Sequence, residues 1–467
     1  MAPRVLSAIL FSPRGGSAHA ARALARGLRA LGWSVSLVAG SRGDLGFDGD
    51  ARAFYVDVNA VTFDQALASE APLCFEGPPG TAPIHPSYED RPGAPDRVFA
   101  ALDDLDYERQ VRTWSRELER VQAARADVLH LHHLTPLNEA AARVAPGVPI
   151  VGQLHGSELL MLERIVAGAP PGWHYAERWA RRMRLWAQRC ARIAVAPAGV
   201  PRALQLLDVP RERIVSLPGG VDTDLFAPRD VDRAAVWRRV LSAQPRGWLP
   251  NQPPGSVRYR DREVAELCRG TVLLYVGRFT AVKRLDRLMK AFCDAQRHLD
   301  RPAGLVLVGG HPGEWEGDHP AELADRLGAE SVFLAGWYQQ DELPELLAGA
   351  DALVVASERE QFGQVLPEAM ACGLPVVAPR SLGPAMIVDD GRTGWLFEPD
   401  DDGELTEVLV EVADSPVERS RRGAAARITA RERFSWSIVS GQLASVFEEV
   451  IGYGSDQSFA SSPQIDR

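Results

Sequence analysis

At 467 residues the chain exceeds the length at which one hydrophobic core keeps growing, so at least two domains are expected. A formal net charge of −10 disfavours nucleic acid as a partner, because phosphate backbones are bound through positive faces. Hydrophobic residues at 46% and charged residues at 24% are those of an ordinary globular protein, and no apolar run approaches the roughly 20 residues needed to cross a bilayer.

The charge is unevenly spread. Residues 1–205 hold 23 Arg against 21 Asp plus Glu, a balance of +2, which leaves −12 for the remainder. Only two of the 52 basic residues, Lys283 and Lys290, are lysine. Five cysteines without a Cys-x-x-Cys spacing argue against a disulfide framework or a zinc site and fit a reducing cytoplasm. The opening MAPRVLSAILFSPRGG has a short apolar run, but it ends in Pro-Arg-Gly-Gly and not in a small-residue cleavage site, so it reads as a first strand.

That strand, Val5 to Phe11, is followed by a loop with Gly15 and Gly16, a helix from about Ala18 to Leu31, and a strand from Ser34 to Ala39. Paired glycines before a helix let backbone approach an anion closely, or simply make a tight turn. A dinucleotide loop would want G-x-G-x-x-G, which is absent here, so an NAD(P)-dependent oxidoreductase is a distant alternative. Residues 41–110 show no clear periodicity and read as loops and short elements.

Asp127 to Leu131 reads as a buried strand running into His132 and His133, and Pro149 to Leu154 as another running into His155 and Gly156. Parallel strands carry ligand residues at their C-terminal ends. His130, His132 and His133 suggest a metal only weakly, since alternate residues point to opposite faces and no Asp, Glu or Cys ligand is evident nearby. Residues 174–193 form a basic amphipathic helix with Trp179, Met183, Trp186, Cys190 and Ile193 on one face. Such a helix can lie on an anionic membrane or pack on its own sheet; the strand that follows at once favours packing over peripheral membrane contact.

Residues 229–270, including GWLPNQPPG, read as an inserted loop. Further strands are expected at Thr271 to Val276, Gly304 to Val308 and Val332 to Leu334. The stretch ALVVASEREQFGQVLPEAMACGLPVVAP, Ala352 to Pro379, reads as strand, loop, helix and strand. Glu360 falls in the loop and Glu368 eight positions later in the helix, which Pro367 is suited to start. Amides of Gly363 to Leu366 would then point outward and offer a positive end to a phosphate, while the two carboxylates suit hydroxyls. Phosphate plus hydroxyls describes a sugar nucleotide.

Glu360, Phe362, Gly363, Glu368, Ala369, Gly373 and Pro375 fall in register with a Glu, seven residues, Glu signature. The pattern resembles that of the retaining glycosyltransferases of family 4, whose GT-B fold sets two Rossmann-like α/β domains facing across a cleft. The resemblance implies donor-sugar contacts from Glu360 and His155, a ribose contact from Glu368, and diphosphate contacts from Arg278, Lys283 and the amides of Gln364, Val365 and Leu366. It also implies donor contacts from Gly15 and Gly16, and a nucleotide base near Gly336 and Trp337. LPGGVDTDLFAP, residues 217–228, resembles the family's passage between domains, with Gly219 where many members have Asn. Arg284 stands where Gly is often found, a change expected to be harmless.

The expected organisation is an acceptor domain over 1–215, a donor domain over 216–433, a helix over 434–453 returning to the first domain, and a disordered tail over 454–467. The expected reaction is retaining transfer of a hexose from a nucleotide sugar, by preference UDP-linked, to a small-molecule hydroxyl. Its diphosphate would be stabilised by side-chain charge, so no metal or other cofactor is expected. His132 and His133 are candidates on the acceptor side. The alternatives are a nucleotide-sugar binding relative without transfer activity, and transfer to a lipid-linked acceptor.

Overall fold

A computed structural model describes residues 2–13, 15–89 and 96–456. The chain divides into two compact units, one of residues up to Pro218 with the helix Trp436–Asp456, the other Gly219–Ser435. The final helix takes in 454–456; the rest of the expected tail, 457–467, lies outside the described residues.

The first unit is built on seven parallel strands: β1 (Arg4–Ile9), β2 (Ser34–Ser41), β3 (Val58–Thr62), β4 (Val128–His132), β5 (Ile150–Gln153), β6 (Arg192–Val195) and β7 (Ile214–Ser216). Their order is β3-β2-β1-β4-β5-β6-β7, the doubly wound arrangement whose C-terminal strand ends hold ligands. β1 and β4 are almost wholly buried, which is why they read as continuous apolar runs. The helix Gly16–Ala30 buries Ala18, Ala21, Leu24, Ala25 and Leu28, spaced to make one helical face. It lies so close to the final helix that a Cβ at Gly27 would come within 2.0 Å of Ser440 Oγ.

β3 is one of the short elements expected in 41–110, at the edge of the sheet. A long helix, Asp104–Arg120, departs from that reading and begins with the Asp103 carboxylate accepting the Asp106 amide at 2.8 Å. Tyr107, Val111, Trp114 and Leu118 make its buried face. The basic helix is Ala176–Arg189, and Trp179, Met183 and Trp186 lie in the first unit's core. Two of its arginines, Arg178 and Arg182, pair with Asp104.

The second unit has six parallel strands: β8 (Thr271–Gly277), β9 (Ala303–Gly309), β10 (Val332–Gly336), β11 (Ala352–Val354), β12 (Val376–Pro379) and β13 (Gly394–Phe397), in the order β10-β9-β8-β11-β12-β13. The expected loop over 229–270 instead carries two helices, Arg233–Arg238 and Asp261–Arg269, with mostly irregular chain between them. The stretch between them covers the free edge of β10. The Tyr259 hydroxyl accepts the Leu334 amide at 2.8 Å, and Gly247 packs so near that a Cβ there would sit 2.2 Å from the Leu334 carbonyl oxygen. Covering an edge satisfies its unpaired backbone groups and blocks strand addition. Among the described residues, no helix is long and apolar enough to cross a membrane.

Candidate active site

In the second unit the site grows from the ends of β8 and β11, neighbours in the sheet. Arg278 follows β8 directly, and Lys283 closes the short turn Ala281–Lys283. The loop after β11 is tied to that turn by the Glu358 amide, which donates to the Val282 carbonyl at 2.9 Å, and two residues on Glu360 forms a salt bridge with Lys283. Beneath them lies Tyr275, fully buried, whose hydroxyl donates to the Arg278 carbonyl at 2.8 Å. Burial pushes that hydroxyl's pKa up, the Glu360 charge pushes it further, and Arg278 opposes both. Lys283 and Glu360 therefore form a pair at the strand end that Arg278 directly follows.

Glu368 lies on the helix Val365–Ala371, which starts before Pro367, with Gln364 as N-cap. Its side chain is buried, accepting from Gln340 Nε2 at 2.8 Å. Burial pushes its carboxyl up to about 7. The expected outward row of amides needs one correction, because the Leu366 N–H is spent on the Gly363 carbonyl at 2.9 Å. A single turn of helix closes back on itself there.

Phe362 packs against the start of the unit: a Cβ at Gly219 would meet its ring at 2.5 Å, and its ring lies 5.9 Å from that of Phe434. That contact leaves little room for a side chain at 219. Gly363 has φ 84, a left-handed conformation that glycine adopts without penalty. Gly336 has φ 82, and a Cβ there would strike the Arg246 carbonyl at 2.1 Å; the ring of Trp337 beside it lies 5.8 Å from that of His311. Arg284, where Gly is often found, takes a backbone conformation suited to glycine. It sits at φ 50, where a Cβ is strained and glycine is favoured.

In the first unit, Gly15 is the helix cap at φ 81 and Gly16 the first helical residue; a Cβ on either would meet nothing within 4 Å. Only Gly15 thus needs to be glycine, for its backbone and not for space. The histidines lie on the ends of β4 and β5. His132 Nδ1 is 2.9 Å from His155 Nε2, and Ser7 Oγ is 3.4 Å from both His132 Nε2 and His130 Nδ1. Desolvation pushes His132 and His155 well below the usual histidine range and His130 down to about 4, so these rings are neutral. His133, at φ 68, sets its Nδ1 2.6 Å from Glu158 Oε1, and that carboxylate also accepts the His155 amide at 3.2 Å.

His132 and His133 are the candidates on the acceptor side. Both are buried, at 0% and 4% exposure, and only His155 is partly exposed; the two rings hold His155 instead. Sequence reasoning also missed Glu158, Gln340 and Tyr275. Glu158 stands three residues after His155, so the carboxylate found lacking near the histidines was within reach of the same motif. Among the described residues, no group of three or more His, Cys, Asp or Glu could hold a metal ion.

Two doubly wound parallel sheets, with charged side chains and histidines at their C-terminal strand ends, have the architecture of a GT-B glycosyltransferase. Residues 14–225 match the description Glycosyltransferase Family 4, and residues 261–429 match Glycosyl transferases group 1. D-inositol 3-phosphate glycosyltransferase 1 of Catenulispora acidiphila is 30% identical over 70% of this chain and 73% of its own length. N-acetyl-alpha-D-glucosaminyl L-malate synthase of Bacillus anthracis is 25% identical over 72% of this chain and 78% of its own. The crystal structure of HepE from Anabaena in complex with UDP and glucose shares the fold, with TM-score 0.64 and 17% identity over 96% of this chain and all of that one. The chain belongs to glycosyltransferase family 4 and is an enzyme of glycosyl transfer.

Proposed function

We propose that the enzyme moves a hexose from a nucleoside diphosphate sugar, preferably UDP-linked, to a hydroxyl of a small polar acceptor, with retention at the anomeric carbon and without a metal. The Lys283–Glu360 pair at the end of β8, with Arg278 directly after that strand, carries this reading. Cleavage of the sugar–phosphate bond leaves added negative charge on the diphosphate, and cations aimed at it favour the transition state over the ground state. Arg278 grips phosphate oxygens with its fork, while Lys283 supplies a point charge. At an effective dielectric near 20, one such charge about 4 Å away is worth up to roughly 4 kcal/mol, of which only the part that grows along the reaction speeds it.

Glu360, released from Lys283 when phosphate takes its place, accepts sugar hydroxyls, and Glu368 accepts those of the ribose. His155, neutral, contributes a hydrogen bond to the donor sugar, and the amides of Gln364 and Val365 and the cap at Gly15 and Gly16 complete the donor contacts. The relatives named for inositol phosphate and malate acceptors support a small, anionic, hydroxyl-bearing acceptor here. Five free cysteines and a nucleotide-sugar substrate fit the cytoplasm. The test is release of nucleoside diphosphate from UDP-, GDP- and ADP-sugars, each with and without myo-inositol phosphate or L-malate. Acceptor-stimulated release from a UDP-sugar is expected; no release from any donor with any acceptor would overturn the proposal.

A further inference from the structure

Residues 226–260 fall between the two stretches that match the family descriptions, so the family pattern assigns them no role. In the second unit they reach both loops that leave β9 and β10. The Arg246 guanidinium spans Glu342 with both ends of its fork, at 2.9 and 2.8 Å, and lies 4.3 Å over the Tyr338 ring. Glu342 Oε2 in turn accepts the Gln339 amide at 2.9 Å, and the next residue, Gln340, donates to Glu368 at 2.8 Å. Two residues along the same segment, buried Trp248 donates its indole N–H to the Gly310 carbonyl at 3.0 Å. The carbonyl of Arg246 closes on Gly336, where only a glycine leaves room.

We propose that residues 244–258 are a positioning element for the donor nucleoside: Arg246 and Trp248 hold the loops after β9 and β10 in one arrangement, and through Glu342, Gln339 and Gln340 they set the carboxylate of Glu368. The inference rests on the donor reading given above. Ligands of open parallel sheets bind at the C-terminal strand ends, where these loops lie. A loop fixed before binding spares the ordering cost that a loose one meets when the ligand arrives, so the segment raises affinity without touching the ligand. Because Glu342 is shared between Arg246 and the Gln339 amide, loss of the fork leaves the β10 loop free to shift, and the base and ribose contacts shift with it.

The test is calorimetric titration of UDP, GDP and ADP into the full-length enzyme and its Arg246→Ala, Arg246→Lys and Glu342→Gln variants, with steady-state kinetics alongside. Arg246→Ala and Glu342→Gln are expected to weaken the preferred nucleotide about fivefold or more and to narrow its margin over the other two, as preorganisation is lost. Donor KM rises in step, while kcat and acceptor KM stay within about twofold, the pattern of lost uniform binding. Arg246→Lys, which keeps the charge but loses the fork, falls between. Variants that melt earlier yet bind all three nucleotides as the parent does would overturn the inference, since the segment would then be structural alone. A parent enzyme that binds none of the three would instead overturn the donor reading itself.

Discussion

The two units bring different chemistry to strand ends of the same kind. The second unit gathers charges, Arg278, Lys283 and Glu360, on loops where each is partly or fully open to solvent. The first gathers neutral rings, His130, His132 and His155, almost all out of water, with one carboxylate, Glu158, wholly buried beside His133. In the proposed function the open cations attract phosphate by Coulomb force, and the neutral rings hold a hydrogen bond in a fixed direction. One unit is built for strength of attraction, the other for position.

Four changes would break or sharpen that contrast. The largest effect is expected from Lys283→Ala, which should lower kcat about a hundredfold or more with the fold intact, because a preorganised charge aimed at the leaving group is lost. Initial rates at saturating donor, with circular dichroism as the folding control, decide it. In the first unit, Glu158→Gln should cost stability instead, about 3 kcal/mol in urea unfolding, because half of a buried pair is removed. Turnover should fall as well, because a neutral carbonyl accepts the His155 amide more weakly than a carboxylate does.

Glu368 joins the two behaviours, a carboxylate that is buried and raised to about 7. Its native state keeps the proton that the unfolded chain releases near 4.5, so this group's contribution to stability falls as pH rises from there to about 7. Donor affinity moves the other way, since the ionised form is the stronger acceptor for ribose hydroxyls. Donor KM should therefore improve about tenfold between pH 6 and 8, and Glu368→Gln should abolish that trend while stabilising the protein at pH 8 by up to about 3 kcal/mol. Thermal melts and KM across that range test both halves together. The smallest effect belongs to Arg284→Gly, which should relieve the left-handed strain at φ 50 and raise stability by about 0.5 kcal/mol, net of glycine's greater freedom when unfolded, with activity unchanged.

What could be read from the sequence follows the same division. The second unit's groups lie in short local motifs: Arg278 and Lys283 five residues apart, Glu360 and Glu368 eight apart, each just past a recognisable buried strand. Glu158 was also near in sequence, but its meaning depends on His133 from a neighbouring strand, and such pairing leaves no mark on spacing. β3 was legible only as a short element because an edge strand carries a weaker apolar run. The helix Asp104–Arg120 was hidden because its four buried anchors are separated by charged residues. In 229–270, Pro, Gly and Asn suggested a loop, but Trp248 and Tyr259 show that turn-rich backbone can be fixed by a few aromatic anchors. The outward amides of the helix Val365–Ala371 were overcounted, because a local bond from Leu366 to Gly363 cannot be seen in residue types.

The most direct test compares UDP with uridine, ligands that differ only in the diphosphate. If Arg278 and Lys283 form a diphosphate site, the parent enzyme should bind UDP at least about a hundredfold more tightly than uridine. The Arg278→Ala/Lys283→Ala double variant should lose most of that advantage while binding uridine as before. An advantage that survives the double substitution undiminished would contradict the account.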